Sequence, residues 1–129
     1  MTIHTHPIEE ARRYLDNART ILSERARKDG DLYQDKKYVR MAGNTMYNGV
    51  LVALDGLLGA KKKGRKDVDW YRTGIHALDK KALDRFNALY ETLHLTLGYD
   101  GNTIVSISRE ALKRSYELVD WVAIRLERP

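Results

Sequence analysis

The chain offers acid–base chemistry few starting points. Its four histidines are His4, His6, His76 and His94, and it has no cysteine. Arg72 and His76 stand one helical turn apart with Trp70 and Tyr71 beside them, a set that can hold a phosphate or nucleotide. The plainer reading is an exposed arginine and a histidine bonded to local carbonyls. His94, Tyr99 and Asp100 lie close in sequence, and a carboxylate beside a histidine raises its pKa. With no nucleophile nearby, they read more simply as a network that fixes the GYDGN turn. Asn44, Tyr47 and Asn48 share one strip of a helix, where buried amides must find partners. The plainer reading is an amide network across the core or a dimer interface; among candidate pocket residues they are the first choice.

The segment KKKGRK places Lys61, Lys62, Lys63, Arg65 and Lys66 together, five cations within six residues. Such a run attracts phosphates without regard to sequence and with strong salt dependence. It lacks the interleaved aromatics that stack bases, and the alternative is a solvated loop. His4 and His6 are too small a set for a metal. Without cysteine or a paired His–Glu helical motif, neither a metal nor a cofactor is expected.

Lys and Arg outnumber Asp and Glu by 23 to 18, a formal charge of +5, which favours acidic partners such as nucleic acid without specifying one. The opening MTIHTHPIEE lacks the basic and apolar regions of a leader, and VLVAL is too short to cross a bilayer. No membrane association is expected. Absence of cysteine suits a reducing compartment, so cytoplasm is the expected location. At 129 residues the chain fits a single domain, 1–129, able to bury roughly two thirds of its unfolded surface.

These residues need helices to position them. Pro7 suits a first helical turn, Glu9 and Glu10 suit its dipole, and Ile8, Ala11, Leu15, Ala18 and Leu22 recur at three and four. This first helix is expected to end near Asp29-Gly30. A second runs from about Lys36 to Leu58, with Val39, Met46, Val50, Leu54 and Leu57 on one side. Ala42, Gly43, Gly49, Ala53 and Gly56 line nearly one face of it. Each interior glycine costs about 1 kcal/mol against alanine, so the face implies close approach of neighbouring helices and a central position. Gly59 ends it.

A third segment is expected over Asp67 to Leu78 and a fourth from Lys80 to Leu97, either as two helices separated by an Asp79 N-cap or as one kinked helix. Leu83, Phe86, Leu89, Tyr90, Leu93 and Leu97 form the buried stripe of the fourth, with Gly98 as its stop. TIVSI reads as an extended connector. Ser108 is expected to cap a last helix in which Leu112, Tyr116, Val119, Ala123 and Leu126 recur. The fold class is all-α: an up-and-down bundle of four main helices plus a short extra one, with no convincing strand pair.

EEARRYLDNARTILSE in the first helix, AGNTMYNGVLVALDGLL in the second, and LHLTLGYDG leading into REALKRSYELVDWV resemble the HEPN superfamily, the higher eukaryote and prokaryote nucleotide-binding domains. The likeness is greatest to an uncharacterised bacterial branch. Catalytic members are metal-independent ribonucleases that place an arginine, four to six residues, then a histidine near a dimer interface. There the histidine moves protons at the ribose 2′-oxygen and the arginine stabilises phosphate charge.

This chain departs from that pattern. Arg72 precedes His76 with three residues between, Arg85 precedes His94 with eight, and Thr92 and Leu97 stand where the resemblance would put the pair. A leucine transfers no proton. The resemblance therefore implies a HEPN-like fold without the nuclease site: a non-catalytic binding or interaction module engaging RNA, a nucleotide or a protein partner such as a nucleotidyltransferase. It also implies a homodimer, and Tyr116, Leu118, Trp121 and Val122 give the last helix more apolar faces than one core uses. The alternatives are a divergent ribonuclease using Arg72 and His76, or a structural homo-oligomerisation domain.

Overall fold

The computed structural model describes residues 6–59 and 66–127. Helix α1 spans Pro7–Glu24 and α2 spans Lys36–Leu58. After residue 66 come α3, Val68–Leu78, α4, Lys80–Tyr90, a π-helix over Glu91–Tyr99, and α5, Val105–Glu127. The architecture is an all-α bundle in which α2 packs against α1, α3, the π-helix and α5. Leu15, Met46, Leu54, Ile75, Phe86, Leu93 and Val119 meet in the core. No helix among the described residues is long and apolar enough to cross a membrane.

The glycine face of α2 works as its spacing implies. A Cβ at Gly49 would stand 2.8 Å from Tyr14 Cβ and 3.1 Å from the Ala11 carbonyl oxygen. A Cβ at Gly43 would stand 2.6 Å from Leu97 Cβ and 2.9 Å from the Gly98 nitrogen. Gly56 lies against the Pro7 ring. Three neighbours thus approach closer than any side chain would permit. Gly59 closes α2 at φ 90°, a region that favours glycine.

Several boundaries differ from expectation. Helix α1 stops at Glu24, and residues 28–33 fold back as a short antiparallel hairpin, β1 (Lys28–Asp29) and β2 (Leu32–Tyr33), turned at Gly30 with φ 61°. The hairpin is held to the segment before α5: Tyr33 N donates to the Thr103 carbonyl at 2.9 Å and Val105 N to that of Asp31 at 2.9 Å. Two residues per strand carry no alternation for a pattern to show. Asp79 does separate α3 from α4, its carboxylate accepting from Lys81 N at 2.9 Å and Ala82 N at 3.2 Å. These bonds hold the Asp79 carboxyl below its usual range.

Of the fourth stripe, Phe86, Leu89, Leu93 and Leu97 are buried and Leu83 and Tyr90 half-buried, and α4 gives way to the π-helix at Glu91. Gly98 lies inside that π-helix, and Gly101, φ 64°, makes the turn after it. Ser108 caps nothing. Helix α5 already starts at Val105, and the Ser108 hydroxyl is buried without a hydrogen-bond partner among the described residues. The surplus apolar faces of α5 are also smaller than expected. Leu118 and Val122 are buried, Trp121 is half-buried against Arg125, and Ile124 and Leu126 are the large apolar residues of α5 left exposed.

Polar contacts tie α1 to α5. Arg12 pairs with Asp120 at 2.9 Å, the Tyr116 hydroxyl donates to Asp16, and the Arg19 guanidinium lies 5.0 Å from the Tyr116 ring. Burial, reinforced by the bond to Asp16, pushes the Tyr116 phenol up to about 12. Burial also raises Tyr33, Tyr47 and Tyr71.

Gly43→Ala is expected to lower the free energy of unfolding by about 1–3 kcal/mol through overpacking, although alanine favours an isolated helix; a urea midpoint equal to that of the parent would contradict the close approach. Between pH ~10 and ~12 unfolded tyrosine has lost its proton while folded Tyr116 keeps it, so rising pH favours unfolding there. Stability is therefore expected to fall across that window, after being fully present below it. Tyr116→Phe should show a shallower fall in melting temperature against pH.

Candidate functional site

Asp79 breaks the chain between α3 and α4, so the two helices fold back on each other and residue 72 comes opposite residue 87. Arg72 Nε donates to Asn87 Oδ1 at 2.8 Å and Nη1 to Asp69 Oδ1 at 3.1 Å. So held, the guanidinium carbon lies 5.2 Å from the centre of the Tyr90 ring, within reach of a cation–π attraction. Tyr90 and His94 are four residues apart, and their rings stack at 5.2 Å with 18° between planes. Tyr47 reaches in from α2, 5.7 Å from Tyr90 at 62° and 5.7 Å from His94 at 46°. Edge and offset arrangements of this kind suit ring quadrupoles.

This is the densest polar–aromatic constellation among the described residues. His94, Asn44 and Asn48 are exposed, and Tyr47, Tyr90 and Arg72 are half-buried. Burial raises the Tyr47 phenol, the neighbouring Tyr90 adds to the rise, and Arg72 opposes it. The Tyr47 and Tyr90 hydroxyls and the Asn44 and Asn48 amides have no hydrogen-bond partner among the described residues. Arg72 uses two of its five N–H donors on the protein and keeps the others.

A second cluster lies between α2 and α3. Asp55 Oδ1 accepts from the Tyr71 hydroxyl at 2.8 Å and pairs with Lys66 Nζ at 2.8 Å, while Lys66 also lies 5.6 Å from the Trp70 ring. Burial and the bond to Asp55 raise the Tyr71 phenol. Each group satisfies another, so the cluster fastens α3 to α2. Lys66 is thus a bound cation, and Lys61, Lys62, Lys63 and Arg65, with His4, lie outside the described residues.

Of the groups singled out in the sequence, the structure keeps one and divides two. Asn44, Tyr47 and Asn48 do share a strip of α2, but Asn44 and Asn48 are exposed residues, Asn44 with its Oδ1 beside Gly98, so they are not core amides. His94, Tyr99 and Asp100 do not form a network. His94 stacks on Tyr90, and Tyr99 is 76% exposed. The turn is held instead by backbone bonds, Asp100 N to Leu95 O at 2.9 Å and Gly101 N to Leu97 O at 2.8 Å. Arg72 bonds to Asn87 and Asp69, and no contact joins it to the exposed His76 among the described residues.

Sequence reasoning missed Asn87, Asp69 and the outward role of Tyr90. The spacing of Tyr90 from His94 was a usable signal; the meeting of 72 with 87 was not. Two hollows lie elsewhere, between α4 and α5. One of about 570 Å³ is lined by Asp84, Arg85, Leu89, Arg114 and Glu117, and one of about 240 Å³ continues from Leu89 and Arg114 toward Thr92 and Ser106. Among the described residues, none of the expected site residues lines either.

Fold and site together define an all-α domain whose chemistry is a solvent-facing array of aromatic rings, amides and an anchored guanidinium. The chain belongs to the family described as a domain of unknown function, DUF5618, which matches residues 6–124. A solved structure, a protein of unknown function from Dyadobacter fermentans, is similar over 96% of this chain and 99% of that one, with 45% identity and a TM-score of 0.89. No curated protein matches.

Stacking on Tyr90 places the His94 ring protons in the shielding region of a phenol face. Their NMR resonances are expected upfield of those of the solvated His76, and Tyr90→Leu should move them toward the His76 positions. Equal shifts for the two histidines in the parent protein would exclude the stacked geometry.

Proposed function

We propose that this chain is a non-catalytic, HEPN-like binding module that engages the nucleotide units of RNA on the exposed seam between α2 and the π-helix. One observation carries the reading: Arg72, anchored by Asn87 and Asp69, lies on Tyr90, whose ring stacks on exposed His94 beside Tyr47. Rings at the surface supply faces for a base, worth about 1–3 kcal/mol each. A guanidinium with spare donors supplies a phosphate contact. The free Asn44 and Asn48 amides supply donors and acceptors for base edges.

The same arrangement speaks against cleavage. No contact joins Arg72 to His76 among the described residues, so the ribonuclease alternative lacks an assembled pair. The HEPN reading also carries a homodimer, for which exposed Ile124 and Leu126 on α5 offer apolar surface, and a protein partner such as a nucleotidyltransferase. A purely structural oligomerisation domain leaves the solvent-facing rings without a use.

Labelled single-stranded RNA titrated at low and high salt tests this by anisotropy, with the RNA run afterwards on a denaturing gel. Salt-sensitive binding to intact RNA is expected, weakened about tenfold by Arg72→Ala or His94→Ala, or ~1.4 kcal/mol. Charge reversal across Lys61, Lys62, Lys63, Arg65 and Lys66 should also reduce affinity and flatten the salt dependence. No binding at low salt would defeat the proposal. Cleaved RNA, with the rate lost on changing Arg72 or His76, would replace it with the ribonuclease.

A further inference from the structure

The seam continues past the Arg72 end. Helix α2 and the π-helix run antiparallel in a register fixed at three levels. Arg40 Nε donates to the Tyr99 carbonyl at 3.0 Å, Gly43 and Asn44 lie against Leu97 and Gly98, and Tyr47 meets His94 at 5.7 Å. Side chains facing outward from these levels therefore form one row. At its far end Tyr99 is 76% exposed, with Leu95 46% and Met41 43% exposed between it and the Tyr47 cluster.

Tyr99 stands out for a physical reason. Its backbone is held from both sides, by Arg40 on its carbonyl and by the bonds of Asp100, Gly101 and Asn102 to the preceding turn. Its ring nevertheless projects into solvent, with no hydrogen bond on the hydroxyl among the described residues. A rigid base under a free aromatic ring is a low-entropy platform. Scattered apolar residues on a surface need no account, but this one stands at the end of an aligned row.

Each end of the row also carries an arginine. Among the described residues Arg40 spends its Nε alone, on Tyr99, leaving both Nη groups to donate. From Arg40 to Tyr47 is seven residues of α2, about 10 Å at 1.5 Å per residue. One base cannot cover both ends. The repeated pairing of ring and guanidinium matches a strand that presents bases and phosphates in turn.

We infer that Tyr99 is a second base-stacking position, and that the seam takes a single-stranded RNA segment of at least two nucleotides. One base stacks at Tyr99 beside Arg40 and another at Tyr47 and His94 beside Arg72. This rests on the reading of the seam as a nucleotide site and adds its length. The row lies on the exterior of the packed α2–π-helix contact, so the ligand lies along it and is not enclosed.

The test is competition of adenosine 5′-monophosphate, the dinucleotide pApA and the tetranucleotide pApApApA against labelled RNA, using the full chain and the variants Tyr99→Ala, Arg40→Gln and Tyr47→Ala. Circular dichroism melting first establishes that each variant folds. The dinucleotide is expected to bind at least tenfold tighter than the mononucleotide. Tyr99→Ala should remove most of that gain and leave mononucleotide affinity within twofold, whereas Tyr47→Ala should weaken all three ligands. Arg40→Gln should lower the salt dependence for the oligonucleotides alone, which a merely structural role for Tyr99 would not predict. Equal affinity for all three lengths, or no effect of Tyr99→Ala, would overturn the second position while leaving the nucleotide site standing. Failure of every RNA probe to bind would overturn both.

Discussion

The bundle is organised by what α2 lacks. At Gly43 and Gly49 a neighbouring element occupies the space a Cβ would need, and at Gly56 the Pro7 ring does so. Each glycine weakens the helix by about 1 kcal/mol, a loss offset only by dispersion contacts and apolar burial gained when backbones approach closely. The contacts are therefore mutually dependent. If α1 drew back from Gly49, α2 would keep the entropic penalty of its glycines and lose the packing that offsets it.

The π-helix depends on the same constraint. Leu97 and Gly98 press on Gly43 and Asn44, and this fixes how the segment after Tyr90 lies on α2. A π-helical run of nine residues is long for a feature that usually appears as a single-turn bulge, often at functional positions. With Leu93 and Leu97 buried, His94 and Tyr99 are left facing out along one seam. The solvent-facing array of this protein is thus a by-product of how closely two backbones meet.

Polar groups serve the fold in pairs. Asp55 joins Tyr71 and Lys66, Asp16 takes the Tyr116 hydroxyl, and Asn87 with Asp69 takes Arg72. Arg72 keeps spare donors at a solvent boundary, which separates an anchored recognition group from a satisfied structural one. The phenols of Tyr71 and Tyr116 are raised first by burial and then by donating to carboxylates.

Much of this was legible in order and little of it in depth. The spacing of Ala11, Leu15, Ala18 and Leu22, the small face of α2, the Gly59 stop and the Asp79 cap can be read because they are local: helical periodicity and capping act within a few residues. The end of α1, the two-residue strands and the buried Ser108 escape such reading because tertiary bonds from Tyr33 N and Val105 N to the carbonyls of Thr103 and Asp31, and the early start of α5, outweigh local preference. Asn44, Tyr47, Asn48 and His94 were picked out by residue type, and the sequence by itself determined that such groups lie near one another along helices. Only the tertiary structure decided that Tyr47 meets His94, that Arg72 bonds to Asn87, and that the Tyr99 ring projects from the GYDGN turn into solvent. Those pairings cross between helices, and their register is set by backbone contact at glycines, which no periodicity within a single helix encodes.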